Sequence, residues 1–253
     1  MASTALAART TTTQTPIPMA TRIHIELRKL VDTRASLGLL ALTCGLTLLV
    51  IGLTGVFDGR DADLRTLINE GSAPLVFLLP IVAILAIAGE WRHRTALFTY
   101  AFDPRRSRVL TAKLIALVIL ILGVVVLAVG TSLLVLALLG APMPGARETT
   151  EVTGALLWSI GGMTLVGAAL GAALLSAPLA LAVLLLLPQI VPQLLGTWTL
   201  TAPAAPYVDV YATFLGGMSG RGAAEAPAVV SAIVLWIVVP LAVGFVRNAR
   251  RDV

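Results

Sequence analysis

The side chains able to do chemistry are few: two histidines (His24, His93), two lysines (Lys29, Lys113) and one cysteine (Cys44). Zinc-dependent hydrolysis of the HExxH kind needs two histidines one helical turn apart, and these two lie in different parts of the chain, so no metal site is expected. A serine-type hydrolase needs a nucleophile activated by a neighbouring base, and no histidine or lysine falls within the long apolar runs. A phosphate-binding GxxxxGK[ST] loop needs a lysine followed by Ser or Thr. Lys29 is flanked by Arg28 and Leu30, and Lys113 by Ala112 and Leu114. The chain is therefore not expected to be an enzyme, nor to bind ATP or a cofactor itself. Cys44 sits in an apolar run, where a small packing residue is the simplest reading.

The conspicuous chemistry is electrostatic. Residues 89–113, GEWRHRTALFTYAFDPRRSRVLTAK, form a polar, arginine-laden stretch between two apolar runs. Its first half mixes Trp91, Leu97, Phe98, Tyr100 and Phe102 with charge, which suits a short helix with one apolar side. Pro104 ends it, and Asp103 followed by Pro104 is a favoured start for the next helix. Two readings compete. The stretch is either a basic anchor against anionic headgroups, at about 1 kcal/mol per cation, or a docking element for a partner, which its aromatic side favours.

These residues must be positioned by the rest of the chain, which is 58% hydrophobic and only 12% charged over 253 residues. A soluble domain holds about 25% charged residues, and runs of 18 or more apolar residues are each long enough to cross a bilayer as a helix. The expected fold is an all-α integral membrane protein with six spans, near residues 35–57, 73–89, 114–140, 153–176, 179–195 and 228–246, forming one transmembrane domain over 35–246. The run from 153 to 195 would reach about 65 Å as one helix, roughly twice a bilayer, so a hairpin near Pro178 is expected. Residues 58–72 read as a polar loop, and 197–227 as a mixed extracellular or re-entrant segment. A flexible tail is expected over 1–21 and a short polar tail over 247–253. With both termini cytoplasmic, fourteen of the eighteen Lys and Arg residues lie inside, as the positive-inside rule requires. Nucleic acid is not an expected partner, because no basic run is interleaved with exposed aromatics.

Ahead of the first span, residues 22–34 place Ile23, Leu27 and Leu30 on one helical face, with Arg22, Glu26, Lys29 and Arg34 mostly elsewhere. An amphipathic helix at the inner membrane surface is expected, its apolar side in the lipid boundary.

The layout resembles the permease subunit of ABC-2-type transporters, notably bacterial drug or lipid exporters. ELRKLVDTR (26–34) is similar to the segment that precedes the family's first span. EWRHRT (90–95) resembles its Glu-x-Arg-x-Gly-Thr segment after span two, with Arg94 in place of the usual glycine. DPRRSRVLTAK (103–113) resembles its lead into span three. The resemblance implies that residues 90–103 form a coupling helix that receives motion from a separate ATP-binding subunit, with 22–34 as the connecting helix. The coupling residues it implies are Glu90, Trp91, Arg92, Arg94, Thr95, Leu97, Phe98, Pro104, Arg105 and Arg106. The connecting-helix residues are Ile23, Glu26, Leu27, Lys29 and Leu30.

The resemblance further implies two ATP-binding subunits carrying ATP and Mg, a second permease copy in a homodimer, and a multi-pass place in the bacterial cell membrane. Gly167 and Gly171, in the GxxxG spacing of GGMTLVGAALGAAL (161–174), allow close helix approach, either within one chain or between two copies. Pro188, Pro192 and Gly196, with Gln189 and Gln193, read as a kinked or a broken helix. The charge-free spans suggest export of a hydrophobic or amphipathic substrate such as a drug or lipid. The alternatives are an autonomous secondary carrier, or a membrane anchor or scaffold that moves nothing.

Overall fold

Apolar runs bounded by Asp, Gly and Pro become helices throughout the computed structural model, which describes residues 18–32, 34–92, 106–216 and 225–250. The described residues are almost entirely helical and contain no strand. Helix α1 (Met19–Asp32) precedes α2 (Arg34–Asp58), and a short α3 (Leu64–Gly71) leads into α4 (Ala73–Arg92). Then come α5 (Arg106–Leu139), α6 (Ala146–Leu174) and α7 (Ala177–Gly196). Two short helices, α8 (Ala205–Val208) and α9 (Val210–Leu215), precede α10 (Ala226–Ile233), which runs through a π turn (Val234–Val238) into α11 (Val239–Arg250). Five continuous helical stretches are long and apolar enough to cross a membrane, and the bent pair α3–α4, counted as one span, makes six.

The stretch 58–72, expected as a polar loop, contains α3 instead. Asp63 caps it: its carboxylate accepts from the Thr66 backbone N–H at 2.9 Å and from the Thr66 hydroxyl at 2.7 Å. Partial burial would raise the Asp63 carboxyl, but these Thr66 bonds and the neighbouring Arg65 hold it below the usual carboxylate range. Leu64, Leu67, Ile68 and Gly71 are buried while Arg65 and Glu70 are exposed. This 3.6-residue alternation was obscured in sequence by the six charged residues at positions 58–70.

The expected hairpin forms two residues before Pro178. Leu175 ends α6 in the left-handed region (φ 51°), with its N–H bonded to the Gly171 carbonyl at 3.1 Å. Ser176 is extended, and Pro178 falls in the first turn of α7, where its missing N–H costs nothing. Helix α7 continues through Pro188 and Pro192 to Gly196, so these prolines do not break it.

Helix α6 is the centre of the bundle. Of its apolar stretch 72% is buried, against 17% for α7. It runs alongside α4 because two glycines remove the side chains that would hold them apart. A Cβ on Gly167 would lie 2.8 Å from the Pro80 Cα and collide with its carbonyl oxygen, and one on Gly171 would lie 3.3 Å from the Ile84 Cα. Helix α11 closes on the other side, with Gly244 against Ala172. The π turn stands directly before Pro240, which has no N–H to offer the Trp236 carbonyl; a widened turn is the usual accommodation.

Candidate functional site

The end of the bundle that carries α1 also holds the last turns of α4 and α6 and the first turns of α5 and α7. Here the two lysines find their places. Lys113, two turns into α5, donates to the Glu26 carboxylate of α1 at 2.8 Å and to the Ala86 carbonyl of α4 at 3.1 Å. Lys29 reaches the other Glu26 oxygen at 2.8 Å. The Lys113 and Glu26 side chains are only 7% and 8% exposed, whereas Lys29 is 36% exposed. Removing charges from water costs several kcal/mol per ion, so such a pair persists only when each lone pair and proton is matched. Glu26 is matched by two ammonium groups, and Lys113 by a carboxylate and a carbonyl. One charged cluster thereby joins α1, α4 and α5.

The cluster sets how α1 sits on the bundle. Its inward face is Arg22, Glu26 and Leu30, whereas Ile23 and Leu27 are half-buried and Ile25 is exposed. Of the apolar stripe, Leu30 packs inward while Ile23 and Leu27 lie at the flank, because the bundle offers Glu26 a buried lysine. The pairing spans 87 positions and no local pattern announces it. The available signal was a lysine at the very start of an uncharged span.

At the same end, Arg247 of α11 donates to the Ala173 carbonyl at 2.5 Å, meeting one of the orphan carbonyls with which α6 ends. Of the expected coupling residues, Glu90, Trp91 and Arg92 form the last turn of α4, and Arg106 opens α5. Arg94, Thr95, Leu97, Phe98, Pro104 and Arg105 lie outside the described residues, as does most of the expected coupling helix. The last turns of α4 and the first turns of α5, between which the arginine-rich stretch runs in sequence, thus lie at the end of the bundle that holds the Glu26 cluster. Gly167 and Gly171 both face α4 of the same chain.

The opposite end has its own polar construction. The segment between α7 and α10 folds back into the bundle and is stitched there by four hydrogen bonds to its carbonyls. Trp158 and Ser159 of α6 donate to Thr213 at 3.0 Å and Phe214 at 2.5 Å. Trp236 and Ser231 donate to Val208 at 2.9 Å and Tyr207 at 2.5 Å. Phe214 fills the space left by Gly162, where a Cβ would collide with its ring, and packs on Trp158 at 5.3 Å between centroids. Replacing Phe214 by Ala is expected to cost about 3–5 kcal/mol and to release the segment. Thermal unfolding with proteolysis between α7 and α10 checks this.

Among the described residues, no group of three His, Cys, Asp or Glu is placed to hold a metal ion. Cys44 is half-buried in α2 and packs against the core. The fold defines a multi-pass helical membrane protein. The chain matches the family described as ABC-2 family transporter protein over residues 2–253, and it belongs to that family. It is thus the membrane component of an ABC transporter, a kind of subunit that works with a separate ATP-binding subunit. No curated protein matches the chain.

Proposed function

We propose that the chain is the permease of an ATP-driven exporter of a hydrophobic or amphipathic substrate. Two copies form the path in the bacterial cell membrane, each with one ATP-binding subunit that carries ATP and Mg. Both termini and the arginine-rich connection face the cytoplasm in this reading, which the distribution of Lys and Arg favours. Residues Glu90 to Arg106 receive the ATPase, and its closure on ATP shifts the permease pair between inward- and outward-open states.

The observation that carries the reading is the Glu26 cluster. Lys113 holds α1 against both helices that flank the arginine-rich connection, with contacts at 2.8 and 3.1 Å. A push on that connection reaches α4, α5 and α1 together instead of being absorbed at one helix end. The test is affinity purification from native cells in mild detergent, followed by Glu90→Lys and Arg92→Glu in the reconstituted complex. The expected result is a stoichiometric partner with a Walker A sequence. ATPase stimulation by substrate should fall by about tenfold in the variants, with membrane insertion unchanged. A protein that purifies alone and transports unaided would make it an autonomous carrier.

A further inference from the structure

We infer that Pro80 makes α4 a hinge and that the Thr164 hydroxyl of α6 is its latch, donating to the Val76 carbonyl that the proline leaves without a helical donor. The use of such a hinge in transport rests on the reading above; the hydrogen bond itself does not.

Proline has no N–H, so inside a helix it deprives the carbonyl four residues earlier of its donor. Pro80 lies within the continuous helix α4. The carbonyl concerned is that of Val76, a residue only 1% exposed. Left unmatched inside the bundle it is costly, and in membrane helices Ser and Thr side chains supply the missing bond.

Two close approaches fix which residue stands at that level. Gly167 meets Pro80, and Gly171 meets Ile84. Both helices advance by four residues between these contacts, so they run parallel and in register. One turn earlier, the same register places Met163 opposite Val76, and both are buried. Thr164 follows Met163. It lies three residues from Gly167 and seven from Gly171, on the face that α6 turns towards α4.

Thr164 is 1% exposed, and its hydroxyl has no hydrogen-bond partner among the described residues. Other buried hydroxyls are matched. Thr43 and Ser132 donate to the carbonyl four residues back at 2.7 and 2.9 Å, and Ser72, Ser159 and Thr213 are bonded as well. Thr47 of α2 is the other exception. An orphan donor and an orphan acceptor at one level of one tight contact complete each other. Thr164 can also turn back to the Ile160 carbonyl of its own helix, as Thr43 does on α2. The latch therefore has two positions.

The two sides of Pro80 are held by different helices. Before it, α3 runs into α4, and Gly71 leaves room for the Ile51 side chain of α2. After it, Gly171 seats Ile84 against α6, and Lys113 of α5 binds the Ala86 carbonyl at 3.1 Å. With the latch open, α3 and the first turns of α4 move with α2, while the rest of α4 stays with α6.

The test labels valine carbonyls with carbon-13 and phenylalanine amides with nitrogen-15 in the full chain, held in phosphatidylcholine nanodiscs. Only Val56–Phe57 and Val76–Phe77 are Val–Phe pairs, so magnetic resonance filtered for labelled pairs reads these carbonyls alone, with Val56 as the reference. Thr164→Val should shift the Val76 signal upfield, towards an unbonded carbonyl, and Thr164→Ser should leave it in place. An unmoved Val76 signal in Thr164→Val overturns the latch. Spin labels on Glu70→Cys and Glu151→Cys, both exposed positions, read the hinge in a chain carrying Cys44→Ala. The spread of distances should widen in Thr164→Val and narrow in Pro80→Ala, which restores the N–H. An equal spread in wild type and both variants overturns the hinge. Transport is read separately. ATP-driven export with an unmoved Val76 signal defeats the latch alone. A Thr164-dependent Val76 signal in a chain with no ATPase partner defeats the transport reading and leaves the latch.

Discussion

Gly167→Leu is expected to abolish the native bundle, and Gly171→Ala to weaken it only modestly. The asymmetry follows from what each added carbon meets. At Gly167 the nearest atoms are the backbone of Pro80, with its Cα at 2.8 Å, so the α4 and α6 axes must separate. At Gly171 the closest atom, the Ile84 Cα, is 3.3 Å away, and a shift of a few tenths of an ångström suffices. Overpacking a dense core costs about 1–3 kcal/mol even when side chains can yield. A backbone collision at the centre of the most buried helix exceeds that, and leucine adds a whole side chain. Both glycines face α4 of the same chain, so the loss should appear as failure of the single chain to fold. The measurement is monodispersity and thermal unfolding in detergent for Gly167→Ala, Gly167→Leu and Gly171→Ala. A Gly167→Leu protein that unfolds like wild type but no longer self-associates would show that this face meets a second copy.

The second large effect is expected at the charged end. Lys113→Met strips Glu26 of its buried partner and the Ala86 carbonyl of its donor. Removing one member of a buried pair costs about 3–5 kcal/mol, because the other charge stays desolvated. Lys29 still neutralises one Glu26 oxygen at 2.8 Å, so the lower part of that range is expected. Glu26→Leu combined with Lys113→Met should recover much of the loss, since an apolar replacement for both partners is often near neutral. The double-mutant coupling should reach about 0.5–3 kcal/mol, read from thermal unfolding of all four proteins in one detergent. Strict additivity would mean that the cluster does not act as a unit. If the cluster transmits motion, the double variant should recover stability yet remain poor in ATP-coupled transport. That split separates holding α1 in place from simply filling the space.

The membrane spans were legible because hydropathy is a local quantity. The stretch 35–57 needs no partner to be recognised as a span, and α2 runs from Arg34 to Asp58. The hairpin before α7 was legible from length, since no bilayer accommodates a straight helix over 153–195. Helix α3 was not, because its apolar positions are interleaved with charge and show their order only once the helix is formed. The inward turn of Glu26 was equally hidden: amphipathicity ranks faces by hydrophobicity, and a buried ion pair reverses that ranking wherever a distant residue supplies the counter-charge.

Taken alone, the amino-acid order determined that this chain is a helical membrane protein with a basic connection between its second and third spans. It also determined which family the chain resembles. Those properties follow from composition, run length and charge placement, each of which acts within a few tens of residues. Only the tertiary structure decided that Lys113 belongs to Glu26 and that Gly167 and Gly171 serve the α4–α6 contact. Each of these depends on which helices lie side by side, and that is set by the summed packing of the whole bundle.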